Sequence, residues 1–92
     1  MIKSFSDKET RALFEGRRVR RFQAIEAQAA RRLQFLDSAT RIEDLMLRPS
    51  HRFEALSGKR KGQYSIRIND QWRLCFRFAD GDAFDVEIVD YH

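Results

Sequence analysis

A chain of 92 residues holds one hydrophobic core and not two, so a functional site is expected on the surface of a single domain, 1–92. The lone Cys75 excludes a disulfide framework and a cysteine zinc cluster, His51 and His92 lack ligand spacing, and neither a long apolar run nor a signal-like N-terminus is present; the expectation is a cytoplasmic protein without membrane segment, metal or cofactor. The formal charge of +4 favours polyanionic partners but is too small to prove one.

Ile2 to Phe5 fit a short strand. Ser6-Asp7-Lys8-Glu9 has the spacing of a capping box, with Ser6 accepting from the first turn, and predicts a helix to about Phe14 that Gly16 ends. Beyond the basic connector Arg17-Arg18-Val19-Arg20-Arg21, Phe22, Ile25, Ala29, Leu33 and Leu36 recur at helical spacing and predict a longer helix whose apolar stripe is core. Thr40-Arg41-Ile42-Glu43 repeats the capping-box pattern and predicts a short helical turn through Leu47, closed by Pro49.

From Phe53 onward the period changes to two. Tyr64, Ile66 and Ile68, then Trp72, Leu74, Phe76 and Phe78, then Phe84, Val86 and Ile88 alternate with polar or smaller residues, which predicts three antiparallel strands. Their even-numbered face is to be covered by the helices, leaving the odd-numbered face open, an α+β arrangement. A three-residue loop Asn69-Asp70-Gln71 sets Ile66 against Leu74 and Arg67 against Arg73 on the open face. Two like charges opposed across strands repel unless an anion sits between them, so this register hints at a phosphate site. A two-residue Asp80-Gly81 hairpin would set Arg77 against Phe84 and mix the faces, so a three-residue loop with a bulge is expected, pairing Arg77 with Asp85 and placing Arg73 beside Val89.

Charge is regional. Met1 to Arg77 carry all 18 basic residues, 14 of them Arg, while Phe78 to His92 carry five acidic residues and no basic one. The guanidinium fork suits phosphate. Arg73 is either a solvated cation laid over apolar surface or, given Arg67 opposite, a functional group. His92 is either a frayed terminus or a proton-transfer group, with Asp90 to orient it and Tyr91 to offer a ring for stacking and a hydroxyl. The loop Gly58-Lys59-Arg60-Lys61-Gly62 lacks Walker spacing and reads as an RNA-backbone contact or as an ordinary solvated turn. The cluster Arg17, Arg18, Arg20 and Arg21 reads as a solvated helix entrance or as a docking patch for a partner. Cys75 has nothing nearby in sequence that would make it a nucleophile.

Four segments carry a resemblance: Met1-Ile2-Lys3-Ser4-Phe5, Leu56-Ser57-Gly58 through Gly62, Ser65-Ile66-Arg67-Ile68-Asn69-Asp70-Gln71-Trp72-Arg73, and the final Glu87-Ile88-Val89-Asp90-Tyr91-His92. Together they resemble the HigB toxins, the plasmid-maintenance killer-protein branch of the RelE/ParE superfamily, and its GraT-like members in particular. The resemblance covers essentially the whole chain. It implies a microbial-RNase-type fold with N-terminal helices on one face of a curved antiparallel sheet and the site on the other. It further implies ribosome-dependent, metal-independent cleavage of mRNA in the decoding site, and neutralisation by a HigA-like helix-turn-helix antitoxin in a hetero-oligomer. Matched residue by residue, Arg73 looks like the arginine that stabilises the pentacovalent phosphate, and Asp90, Tyr91 and His92 look like the C-terminal catalytic group.

One segment departs from the pattern. Some members carry a His and a Lys just before the glycine loop, where this chain has Glu54 and Ser57. Either an acid–base partner is absent there, or Lys59, Arg60 or Lys61 supplies the positive charge. Two other readings stay open: a non-enzymatic gyrase inhibitor like the ParE branch, and a ribosome-binding translation blocker that does not cut.

Overall fold

The computed structural model describes residues 1–91, so the His92 reading lies outside the described residues. Helix α1 (Lys8–Phe14) is capped by Asp7 rather than by Ser6: the Asp7 carboxylate accepts from the Thr10 amide at 3.0 Å. The Ser6 hydroxyl is committed elsewhere, donating to the Asp85 carbonyl at 3.0 Å. The longer helix is divided into a 3₁₀ turn, Arg20–Ile25, and helix α2, Glu26–Ser38. Its stripe is nonetheless intact, with Phe22, Ile25, Ala29, Leu33 and Leu36 all buried. At Thr40 the expected box is replaced by Asp44, whose Oδ2 accepts from the Thr40 and Arg41 amides at 3.0 and 3.1 Å and heads the turn Ile42–Met46. Pro49 does not close that turn but opens another, Pro49–His51, where its missing N–H costs nothing.

Strands β1 (Glu54–Ala55), β2 (Tyr64–Arg67), β3 (Trp72–Ala79) and β4 (Asp82–Asp90) form one antiparallel sheet in that order. β1 is an addition to the three strands expected. The β2–β3 loop is as anticipated: Asn69 Oδ1 accepts from the Gln71 and Trp72 amides, both at 2.8 Å, and Arg67 faces Arg73.

The β3–β4 turn corrects the sequence reading. It is the two-residue Asp80-Gly81 hairpin after all, both residues at positive φ, with Arg77 facing Phe84, Phe78 facing Ala83 and Ala79 facing Asp82. The mixing of faces is real but local. Between Cys75 and Arg77, Phe76 on β3 is opposed by two residues of β4, Asp85 and Val86, and Asp85 takes φ +53. This bulge flips the parity, so Ala83 is buried before it and Val86 and Ile88 after it, while Phe84 lies off the core face. Beyond the bulge Cys75 faces Glu87 and Arg73 faces Val89, the register expected there. Arg77 still meets Asp85, at 3.3 Å, as an ion pair rather than a register partner.

The N-terminal segment explains why the bulge is tolerated. Ile2 and Phe5 bridge Ala83 and Val86 in parallel. Ser4 Oγ accepts from the Asp85 amide at 2.9 Å while Ser6 Oγ donates to its carbonyl. Both backbone groups of the bulged residue are thereby satisfied. The core lies between the helices and one sheet face, with Phe22 set edge-on to Trp72 at 5.6 Å. The other face is less open than expected, since Ser65 and Cys75 are fully buried on it. Among the described residues no helix is long and apolar enough to cross a membrane.

Candidate active site on the sheet

Arg73 lies on the far face of β3, and three groups fix its guanidinium. Nε donates to Ser65 Oγ at 2.8 Å, Nη2 donates to the Arg52 carbonyl at 2.7 Å, and Nη2 lies 3.5 Å from Glu54 Oε1. The side chain is only 12% exposed. A solvated cation would not be sunk and bonded in this way; its orientation is set before any ligand arrives. The supporting shell follows from strand pairing. Ser65 neighbours Arg73 on β2, Glu54 pairs with Ser65 on β1, and Arg52 takes a left-handed φ of 45° just before β1, turning its carbonyl to the guanidinium.

The end of β4 meets this group. Tyr91 donates its amide to the Gln71 carbonyl at 2.6 Å, and Gln71 Nε2 donates to Asp90 Oδ2 at 3.1 Å, which ties the chain end to the β2–β3 loop. The Tyr91 ring centre lies 5.5 Å from Arg73 Cζ, and the residue is 43% exposed. A cation therefore sits against one part of a ring that still has free surface for a planar ligand. Arg73, Asp90 and Tyr91 are thus brought to one end of the sheet. Arg67 also borders it, paired with Asp70 and receiving Arg32 Nε on its carbonyl at 3.0 Å.

The basic loop divides. Lys59 and Lys61 are exposed, whereas Arg60 folds back onto the sheet, donating to Gln63 Oε1 at 2.9 Å and pairing with Glu87 at 3.4 Å. Arg60 is thus engaged inside the protein, not in solvent as its neighbours are. Cys75 lies fully buried within the influence of Arg60, Glu87, Arg73 and Glu54, and burial pushes its thiol up. A thiol shifted that way is a poor nucleophile. Among the described residues no group of His, Cys, Asp and Glu is arranged to hold a metal ion.

Sequence reading missed Ser65 and Arg52 as supports for Arg73, and took Glu54 only as a departure. The β2–β3 register already put Ser65 two residues from Arg67 on the same face, which was a usable signal for the hydroxyl. The Arg52 carbonyl depends on a backbone turn that side-chain periodicity does not report.

The family model for the RelE-like toxin of the type II toxin–antitoxin system HigB matches residues 3–92. The chain belongs to the HigB-like toxin family. It is similar to "Endoribonuclease HigB" of Proteus vulgaris, 38% identical over 93 residues and all of both chains, and to "Toxin HigB-1" of Vibrio cholerae, 39% identical over 87 residues and 92% of each. Its fold is similar to a chain of the "YoeB-YefM complex from Staphylococcus aureus", with a TM-score of 0.54 at 16% identity, covering 100% of this chain and 98% of that one. In this HigB-family chain the Arg17 to Arg21 cluster is unevenly engaged. Arg17 pairs with Glu15, and Arg21 pairs with Glu9 at 3.2 Å and lies over the Phe22 and Trp72 rings. Arg18 and Arg20 are exposed and line shallow clefts with Glu26 beside α2.

Proposed function

We propose that this chain is the toxin of a type II toxin–antitoxin pair and that it cuts mRNA on the ribosome, without a metal, at the sheet site around Arg73. One observation carries the reading: a guanidinium held by two hydrogen bonds and an ion pair, at the end of the sheet where Tyr91 leaves a ring for a base. Family membership and the endoribonuclease name of a full-length relative support the reaction class.

The 2′-hydroxyl of the RNA attacks the adjacent phosphorus, the P–O5′ bond breaks, and a 2′,3′-cyclic phosphate and a 5′-hydroxyl result. Arg73 holds the non-bridging oxygens as charge builds on them; an incoming phosphate replaces Glu54 as its partner. Released beside that phosphate, the Glu54 carboxylate takes the 2′-hydroxyl proton. It stands where some relatives of the resembled family carry a histidine, and its Oε1 lies 3.5 Å from the guanidinium. His92 delivers a proton to the leaving 5′-oxygen, Tyr91 stacks on a neighbouring base, and Asp90 with Gln71 holds the chain end. The ribosome positions the strand. A HigA-like antitoxin occupies the exposed Arg18 and Arg20 side of α2. Lys59 and Lys61 face the RNA or ribosome backbone.

Cleavage on ribosomes programmed with a defined mRNA, read as new 5′-hydroxyl ends, tests the proposal. New ends that require both the chain and the ribosome support it. Growth arrest without new ends, whether through gyrase or through a ribosome blocked but uncut, overturns it.

A further inference from the structure

A second cationic feature lies away from this site. Between α2 and the Pro49–His51 turn is a cleft of about 690 Å³ lined by Arg31, Arg32 and Arg48, with Phe35 and His51, and by no carboxylate among the described residues. Arg31 and Arg48 make no ion pair among the described residues. Three guanidiniums this close repel one another, and no carboxylate among the described residues of the cleft offsets that; the Phe35 ring takes up part of one charge, its centre 5.5 Å from Arg48 Cζ. His51 makes the imbalance plainer. It is 4% exposed, edge-on to Phe35 at 4.8 Å, and its Nδ1 is buried without a hydrogen-bond partner. Burial first, and then the positive charges of Arg32 and Arg48, hold its imidazole down to about 4. Burial and the neighbouring Arg31, Arg67 and Arg48 likewise push Arg32 below its ordinary value.

The cleft is joined to the sheet site. Arg32 Nε donates to the Arg67 carbonyl at 3.0 Å, and Arg67 faces Arg73 across β2 and β3. Cationic groups thus run from Arg48 and Arg31 through Arg32 and Arg67 to Arg73. We propose that the arginine cleft is a second phosphate-binding subsite for the same RNA strand, holding backbone phosphates beyond the scissile one while Phe35 offers apolar surface to a base. This rests on the RNA-cleaving reading and extends it. An acidic peptide would also meet the arginines, but the run of cations ending at the proposed scissile phosphate favours a polyphosphate strand that engages both places at once.

The test uses the full chain and a short 2′-O-methylated RNA strand, which cannot be cut, beside a polyglutamate peptide of equal charge. The RNA is expected to move the His51 imaging of the cleft, read as its imidazole NMR signals, in the wild-type chain and in Arg73→Ala alike. The double variant Arg31→Ala/Arg48→Ala is expected to lose that shift and to flatten the salt dependence of RNA binding by about 1.4 in log–log slope, at about 0.7 per phosphate contact on a single strand. His51 signals that stay still with RNA, an unchanged slope in the double variant, or a response to polyglutamate alone overturn the subsite. RNA that moves His51 in a chain that makes no cut leaves the subsite standing and sinks the cleavage reading alone.

Discussion

Arg67 and Arg73 face each other across β2 and β3, and each is held by its own acid, Arg67 by Asp70 and Arg73 by Glu54. The like-charge register is therefore relieved at the two ends rather than between the pair, and the space between remains cationic. An arriving phosphate has two guanidiniums to meet and two carboxylates, Glu54 and the fully exposed Asp70, to displace.

Glu54→Gln separates the two roles proposed for that carboxylate. It removes the base while leaving a side chain of the same shape beside Arg73. Single-turnover cleavage on programmed ribosomes is expected to fall by about a hundredfold or more, the usual contribution of a positioned proton-transfer group. Ribosome affinity should hold or rise, because the competitor for Arg73 has lost its charge. An unchanged rate would leave His92 and Tyr91 to move both protons.

In the glycine-bracketed loop the three cations should behave differently. Lys59→Ala/Lys61→Ala is expected to weaken ribosome binding and flatten its salt dependence with thermal stability intact. Arg60→Ala should instead cost stability, about 1 kcal/mol, by breaking its contacts with Gln63 and Glu87. Salt titration beside thermal unfolding checks both. Equal effects from all three residues would contradict the division.

The β4 bulge gives a stability prediction independent of function. Asp85 has φ +53, a region that a β-branched side chain occupies poorly. Asp85→Val should therefore destabilise the chain by about 1–2 kcal/mol in denaturant unfolding. No loss would speak against the left-handed bulge.

Much of this architecture was legible in the residues. The stripe from Phe22 to Leu36 and the alternation from Tyr64 to Phe78 named the core, because burial imposes its period directly. The Arg67–Arg73 opposition followed from one loop length. The β3–β4 turn was misread because parity was assumed to hold along all of β4; a bulge at one aspartate, satisfied by Ser4 and Ser6 from the other end of the chain, leaves no periodic trace. Caps were misassigned for a related reason. Ser6 and Asp7 both suit the position, and only the distant demand of Asp85 decides between them. In the site, Arg73, Asp90 and Tyr91 were named from sequence, whereas Arg52 acts through a carbonyl that its side chain does not reveal.

His51 supplies the pH dependence. Its folded value near 4 lies below the ordinary histidine value of 6.5, so between these values the unfolded chain binds a proton that the folded chain does not. Its contribution is intact above about pH 6.5 and declines as the pH falls towards 4, by about 3 kcal/mol at most. His51→Gln should flatten the stability profile over that window in urea unfolding. A wild-type chain equally stable at pH 4.5 and 7, or a variant with the same slope, would show that His51 is not buried neutral.

Arg73, fixed before substrate arrives, is proposed to stabilise the phosphate in the transition state. The direct test of this role is the single-turnover rate of mRNA cleavage on programmed ribosomes for Arg73→Ala and Arg73→Lys, measured well below each variant's unfolding temperature. Removing the guanidinium frees Ser65 and the Arg52 carbonyl, so a loss of about 1–3 kcal/mol in stability accompanies Arg73→Ala. A rate at least about a hundredfold lower is expected for Arg73→Ala, with ribosome binding retained, and a partial loss for Arg73→Lys, which keeps the charge without the fork. Cleavage by folded, ribosome-bound Arg73→Ala at the wild-type rate would contradict this role.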